Sequence, residues 1–184
     1  MKDSAKIAQS IVGTSPGRPK HDFYPTPTHC TEDLLRVEDF GGIIWEPACG
    51  DGAISKVLVE KGLQVVSTDL IDRGYGEGGV DFLESTMEVD SIITNPPYSL
   101  AQKFVEHALF CTNHKVAMLL KLAFLEGQKR QAMFMSSPLA RVWVYSKRVT
   151  QYRGGIKAKY SGMIAFAWFV WEHGYEGEPV IRWL

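Results

Sequence analysis

At 184 residues, 45% of them hydrophobic and 22% charged, the chain has enough material for one well-buried domain and too little for two comfortable ones. No apolar stretch approaches the roughly 20 residues that span a bilayer, the opening MKDSAKIAQS lacks the charged-then-apolar layout of a secretory signal, and Cys30, Cys49 and Cys111 form no CxxC pair, so a soluble cytoplasmic protein with reduced thiols is expected. The formal net charge of -1 hides an uneven distribution: residues 115–160 carry ten Lys and Arg against Glu126 alone, whereas residues 1–114 carry nine against 17 Asp and Glu.

Residues 1–22, polar and punctuated by Gly13, Pro16, Gly17 and Pro19, read as a mobile arm ahead of one domain over 23–184. PTPTHCTEDLLRVEDF predicts a helix capped by Thr28 or Thr31, with early acids, a buried stripe of Leu34, Leu35 and Val37, and a stop at Gly41 and Gly42. GIIWEP predicts a strand ended by Pro47; the turn CGDG opens a helix AISKVLVEKG, and LQVVSTD is the next strand with Asp69 at its carboxyl end, so 43–69 is a βαβ unit. RGYGEGG (73–79) is too glycine-rich for regular structure, and VDFL is a short extended piece. SIITN predicts a strand, SLAQKFVEHALFC a helix, KVAMLLKL a strand and LEGQKRQAMFM a helix; the alternating ARVWVYSKRVTQY and the basic loop RGGIKAKYSG follow. GMIAFAWFVW and EPVIRWL, separated by EHGYEG, predict a terminal antiparallel hairpin. The alternation indicates an α/β fold with a doubly wound, mainly parallel sheet.

In open α/β sheets ligands bind outside the carboxyl ends of the strands. The residues there are Glu46-Pro-Ala-Cys-Gly50-Asp-Gly52, Asp69, Asp81-Phe82 and Asn95-Pro96-Pro97-Tyr98. A GxG turn lets backbone approach a ligand because no Cβ intervenes, and Asp69, 17 residues beyond Gly52, stands where a carboxylate can accept both hydroxyls of a ribose. A dinucleotide site would need a third glycine near position 55, where Ser55 stands, and Glu46 would repel a pyrophosphate. A nucleoside bearing a cationic group, such as S-adenosylmethionine, fits both facts. Beyond the third strand, the Asn95 side-chain oxygen and the Pro96 carbonyl offer two acceptors for the hydrogens of a conjugated exocyclic amine. Pro97 fixes their angle, and Tyr98 offers a flat surface for stacking the ring. Two such acceptors draw a delocalised nitrogen toward tetrahedral geometry and aim its lone pair at an electrophile, so catalysis would rest on positioning.

Together these segments resemble the class I S-adenosylmethionine-dependent methyltransferases, and within them the adenine-N6 DNA methyltransferases of a short form similar to those of phages and prophages. FYPTP (23–27) resembles the segment that in this family lines the methionine end of the cofactor, which implies contacts from Tyr24, Thr26 and Pro27. EPACGDG, with Glu46, Ala48, Gly50 and Gly52, resembles the cofactor turn; STD with the following residue, Asp69 and Leu70, the ribose-binding segment; DFL, with Asp81 and Phe82, the pair beside the cofactor adenine; and NPPY the catalytic tetrapeptide Asn95, Pro96, Pro97 and Tyr98. The resemblance implies a seven-stranded Rossmann-like sheet, S-adenosylmethionine as cofactor and DNA adenine as substrate. Related tetrapeptides also occur in enzymes that methylate a protein glutamine or a guanine of ribosomal RNA, so RNA and protein substrates stay open, as does a non-catalytic nucleic-acid-binding module. Only 86 residues follow Tyr98 and the sheet needs most of them. No target-recognition domain is therefore expected, and specificity should be weak or short unless a second copy or another protein supplies it.

A base inside a duplex cannot reach such a pocket, so it must be flipped out or arrive single-stranded. The basic block supplies the expected phosphate contacts: Lys129, Arg130, Lys147, Arg148, Arg153, Lys157 and Lys159, with Arg18 and Lys20 of the arm as helpers. Tyr152 falls near the place of a family residue that packs on the flipped base. Phe166, Trp168, Phe169 and Trp171 are expected in the core, and the five histidines show no metal-ligand spacing, so no metal is expected.

Overall fold

The computed structural model describes residues 23–149 and 164–184. The arm expected over 1–22, with Arg18 and Lys20, and the expected nucleic-acid contacts Tyr152, Arg153, Lys157 and Lys159 lie outside the described residues. In chain order the elements are α1 (Thr28–Val37), β1 (Ile43–Glu46), α2 (Ser55–Glu60), β2 (Gln64–Asp69), β3 (Glu77–Gly78), a 3-10 turn (Phe82–Glu84), β4 (Val89–Thr94), α3 (Ala101–Cys111) and β5 (Thr112–Lys121). A second 3-10 turn (Leu122–Leu125), α4 (Gln128–Ser136), β6 (Leu139–Val144), β7 (Phe166–Glu172) and β8 (Val180–Trp183) complete them. The sheet order is β3-β2-β1-β4-β5-β7-β6-β8. The first five strands in that order are parallel, β7 runs antiparallel to both β5 and β6, and β8 is parallel to β6. This is the doubly wound, mainly parallel sheet that the sequence predicts.

Its far edge differs from the expectation in two respects. An eighth strand is present among the described residues, and the last two strands do not pair with each other, because β6 lies between β8 and β7. Residue chemistry accounts for the placement. FAWFVW of β7 is buried on both faces and suits an interior position, whereas all four residues of β8 are exposed and suit an edge. The glycine-rich segment also contributes a short strand, β3, which pairs with the end of β2.

Two apolar layers cover the sheet. From β5, Val116, Met118 and Leu120 pack on one side with Phe104 and Val105 of α3, while Ala117 and Leu119 pack on the other with Leu34 of α1 and Leu58 of α2. Burial on both faces explains why KVAMLLKL is a continuous apolar run instead of an alternating one. Phe166, Trp168, Phe169 and Trp171 are buried as expected. Among the described residues no helix is long and apolar enough to cross a membrane. The three cysteines are free and buried; burial pushes the Cys30 and Cys49 thiols up to about 12, which leaves neither as a nucleophile.

The entry and exit of α1 also depart from the sequence reading. Neither Thr28 nor Thr31 caps it: Pro27 holds the N-cap position with φ of -59° and no side-chain cap, and Thr31 is fully buried. The helix stops at Val37, ahead of Gly41 and Gly42, where Glu38 becomes extended. The Glu38 carboxylate meets Lys115 Nζ at 3.2 Å, pairs with Arg141 through two nitrogens and accepts the Trp143 indole N–H at 2.8 Å. Glu172 also pairs with Arg141. Burial pushes the Glu38 carboxyl up, but hydrogen bonds from Arg141 and Trp143 and the charges of Arg141 and Lys115 outweigh it and hold the carboxyl below its usual range. Two cations of the basic block are thus neutralised by acids from outside it, so the excess that could face a polyanion is smaller than the sequence count.

Candidate active site

The strand order puts the ends of β2, β1 and β4 side by side, so Asp69, Glu46 and Asn95 fall within about 10 Å across the sheet. The chain turns outward on either side of β1, and a crevice opens at such a switch point. A cavity of about 450 Å³ occupies it, inside the roughly 300–1,000 Å³ range of small-molecule sites. Of the residues expected at the site, Tyr24, Thr26, Glu46, Ala48, Asp69, Leu70, Asp81, Phe82, Asn95 and Pro97 line this cavity. Pro27, Gly50, Gly52, Pro96 and Tyr98 do not, although each adjoins a lining segment. Phe23, Asp51, Arg73, Ser99, Leu100 and Phe104 also line it; Phe23 and Asp51 lie inside the FYPTP and EPACGDG segments without having been singled out, and Arg73, Ser99, Leu100 and Phe104 carry no pattern of their own.

The acids are oriented by backbone. Asp69 Oδ2 accepts the Gly50 N–H and Oδ1 the Ile71 N–H, both at 2.8 Å, which ties the end of β2 to the glycine turn and leaves further lone pairs on both oxygens. Asp81 Oδ1 accepts the Leu83 N–H at 3.0 Å and so caps the 3-10 turn that carries Phe82. The Phe82 ring is fixed by Trp45 and Phe104, with centroids at 5.0 and 4.8 Å. Glu46 is nearly fully buried; its Oε2 accepts both the backbone N–H of Ser55 at 2.8 Å and the Ser55 hydroxyl. Burial is the larger influence on this carboxyl and, with the charges of Asp69 and Asp51, raises it to about 8 against the hydrogen bonds from Ser55.

At the glycine turn, both Gly50 and Gly52 have positive φ (59° and 81°), and a side chain would also collide. A Cβ on Gly50 would stand 2.3 Å from the Phe23 ring, and one on Gly52 2.6 Å from the Tyr75 ring. Two aromatic side chains from distant segments therefore cover the turn.

Asn95 carries the main finding. Its Nδ2 donates to the Tyr24 carbonyl at 3.2 Å and to Thr26 Oγ1 at 3.1 Å, so the FYPTP segment sets the orientation of the amide. Asn95 Oδ1 is buried beside the cavity with no hydrogen-bond partner. The Tyr98 ring stacks on Tyr24, with centroids at 6.2 Å and an interplanar angle of 25°; it also touches Phe166, and the Lys121 ammonium lies 4.8 Å from its centroid. Tyr98 thus stands in an aromatic and cationic group next to the cavity instead of forming part of its wall.

Among the residues expected at phosphates, Lys129 on α4 and Lys147 and Arg148 after β6 are exposed. Arg130 is directed inward: its Nε donates to the Phe124 carbonyl at 2.8 Å, another nitrogen donates to the Glu126 carbonyl, and the guanidinium lies over the Phe124 ring. It thereby secures the turn between β5 and α4. Among the described residues no group of three or more His, Cys, Asp or Glu could hold a metal ion.

No protein-family model matches the chain, and no curated protein matches it by sequence. Solved structures do match. A protein of Pyrococcus horikoshii described as an RNA methyltransferase is 16% identical with a TM-score of 0.67, covering 92% of this chain and 98% of its own. A Vibrio vulnificus protein described as the modification subunit of a type I restriction enzyme is 13% identical with a TM-score of 0.62; the match takes in 97% of this chain but only about half, 48%, of that one. The magnesium protoporphyrin IX methyltransferase of Synechocystis, solved with bound S-adenosylmethionine, is 13% identical with a TM-score of 0.52 over 79% of this chain and 77% of that one. The likeness is one of fold: the chain has the Rossmann-like fold of the class I methyltransferases.

Proposed function

We propose that the protein transfers a methyl group from S-adenosylmethionine to the N6 amino group of adenine in DNA. The observation that carries this reading is the Asn95 amide, held through its nitrogen by Tyr24 and Thr26 with its oxygen buried and unpartnered beside the cavity. A buried acceptor left unpaired costs about 1–3 kcal/mol, and an incoming amino group would relieve that cost. Asn95 Oδ1 and the Pro96 carbonyl would each accept one N–H of the amine, leaving its lone pair to face the methyl donor.

The lining suits the donor. Asp51, Asp69 and Asp81 give the cavity negative charge, which favours a ligand carrying a sulfonium and an ammonium, and the Glu46 carboxyl adds a hydrogen-bond acceptor. Asp69 would hold the ribose hydroxyls, Asp81 and Phe82 the adenine, and the Tyr24–Thr26 segment and Glu46 the methionine end. When bound, the cofactor supplies an electrophilic methyl; the chain's task is to place an amine in line with it and to exclude water.

The raised carboxyl of Glu46 gives a pH prediction. In the unfolded chain it ionises in the ordinary carboxylate range, whereas in the fold it keeps its proton up to about 8, so stability falls as pH rises between those values. Thermal melts of the ligand-free protein are expected to drop from about pH 5 to 8, and Glu46→Gln to flatten that slope. A wild-type profile that rises through this window would contradict it.

One finding favours a second reading, methylation of RNA: the Pyrococcus protein, matched over 98% of its own length, is described as an RNA methyltransferase. Incubation with methyl-labelled S-adenosylmethionine and duplex DNA, single-stranded DNA or RNA, followed by nucleoside analysis, separates the two. Label in N6-methyladenine from DNA is expected; label in RNA alone would move the assignment. DNA affinity is also expected to fall steeply with added salt if Lys129, Lys147 and Arg148 meet phosphates, and a flat response would remove that role.

A further inference from the structure

Among the described residues Arg73, in the glycine-rich segment before β3, is the single cation lining the cavity, whose other walls carry the acids Asp51, Asp69 and Asp81 and the protonated carboxyl of Glu46. Among the described residues it makes no ion pair, although acids stand close in sequence and around the cavity. Three of those acids are held by backbone amides: Asp69 by Gly50 and Ile71, Asp72 by Gly74, Asp81 by Leu83. The Arg73 guanidinium instead lies over the Phe23 ring, 4.2 Å from its centroid, and its Nε is buried without a hydrogen-bond partner. Phe23 in turn fills the space above Gly50. This contact braces the guanidinium against the ring, and its N–H donors remain able to meet a ligand. A buried Nε–H left unpaired on a half-buried guanidinium is costly unless an acceptor completes it.

We infer that Arg73, braced by Phe23, anchors the carboxylate of the cofactor's methionine moiety. The inference rests on the reading that this cavity binds S-adenosylmethionine, whose carboxylate is its one anionic group. Acids that suit the sulfonium and ammonium would repel that carboxylate, so the site needs one cation, and Arg73 is the lining residue that supplies it. A planar fork matches a carboxylate in two hydrogen bonds, which an ammonium does not. A phosphate of the substrate is the other anion a guanidinium could take; the position of Arg73 in the wall of the cofactor cavity favours the carboxylate.

Calorimetric titration of wild type and Arg73→Gln with S-adenosylmethionine and with its decarboxylated form tests the assignment. Wild type is expected to bind the decarboxylated form about 10- to 100-fold more weakly, and Arg73→Gln to lose a similar factor for S-adenosylmethionine. For the decarboxylated cation Arg73→Gln should bind at least as tightly as wild type, because a repelling charge is gone. Equal losses for both ligands would mean that Arg73 only supports the loop, and unchanged S-adenosylmethionine binding with weakened DNA binding would hand it to a phosphate; either result overturns the inference. Wild type binding neither compound would overturn the cofactor reading itself, and the anchor with it. If thermal melts show Arg73→Gln to be unfolded, Arg73→Lys, which keeps the charge without the fork, is expected to lose about tenfold for S-adenosylmethionine and little for the decarboxylated form.

Discussion

Replacing Asn95 by Ala is expected to lower the rate of methyl transfer by about 100- to 1,000-fold, the scale on which a single oriented polar group contributes to a transition state. S-adenosylmethionine affinity and DNA affinity should change little, because on the proposed reading Asn95 would meet the amine and not the bulk of either ligand. The effect should appear in kcat with KM nearly unchanged. Thr26→Val gives a graded companion. It removes one of the two hydrogen bonds that orient the amide, at 3.1 Å, while the Tyr24 carbonyl keeps the other at 3.2 Å. A loss of about tenfold is expected, as one neutral hydrogen bond implies. Single-turnover rates measured with labelled cofactor distinguish the two variants. An Asn95→Ala protein that transfers at the wild-type rate would remove the catalytic assignment.

Glu38→Ala should destabilise the fold by about 3–5 kcal/mol at neutral pH, because it leaves Lys115 and Arg141 partly buried with their shared partner gone. Glu172 remains near both and softens the loss without cancelling it. The sign of the pH dependence follows from the carboxyl held below its usual range. Its contribution is complete above the carboxyl's unfolded value and disappears as pH falls through the folded one. Urea unfolding of wild type and variant should therefore differ most at pH 7 and converge in acid. Equal unfolding midpoints at pH 7 would show that the cluster contributes no net stability. The cluster lies at the amino ends of β5 and β6, opposite the cavity, so the same substitution should leave the intrinsic transfer rate of the folded protein unchanged.

The sequence by itself determined which segments would stand at the cavity. A ligand-binding α/β sheet puts its chemistry directly after its strands, and Glu46, Asp69 and Asn95 are each recognisable as a polar residue at the end of a short apolar run. It also settled that KVAMLLKL and AFAWFVW would be core, since no solvent-facing strand tolerates unbroken apolar character on both faces. Local signals failed where tertiary partners outweighed them. Thr28 and Thr31 look like caps, yet α1 enters through Pro27, and the helix ends early at Glu38, whose charge partner Arg141 stands 103 residues away.

The tertiary structure alone decided strand order, and with it the edge: nothing in VIRW says that it pairs with β6 instead of β7, because pairing depends on which neighbour is left with a free edge once the interior positions are filled. It likewise decided the state of individual groups. The Asn95 amide takes its orientation from Tyr24 and Thr26, 71 and 69 residues earlier in the chain. Arg73 acquires its meaning from Phe23 and from acids already engaged by backbone amides. Residue type and spacing announce which chemistry a chain can offer. Which atom is left unpaired, and toward what it points, depends on contacts between segments far apart in sequence, and those exist only once the sheet has closed.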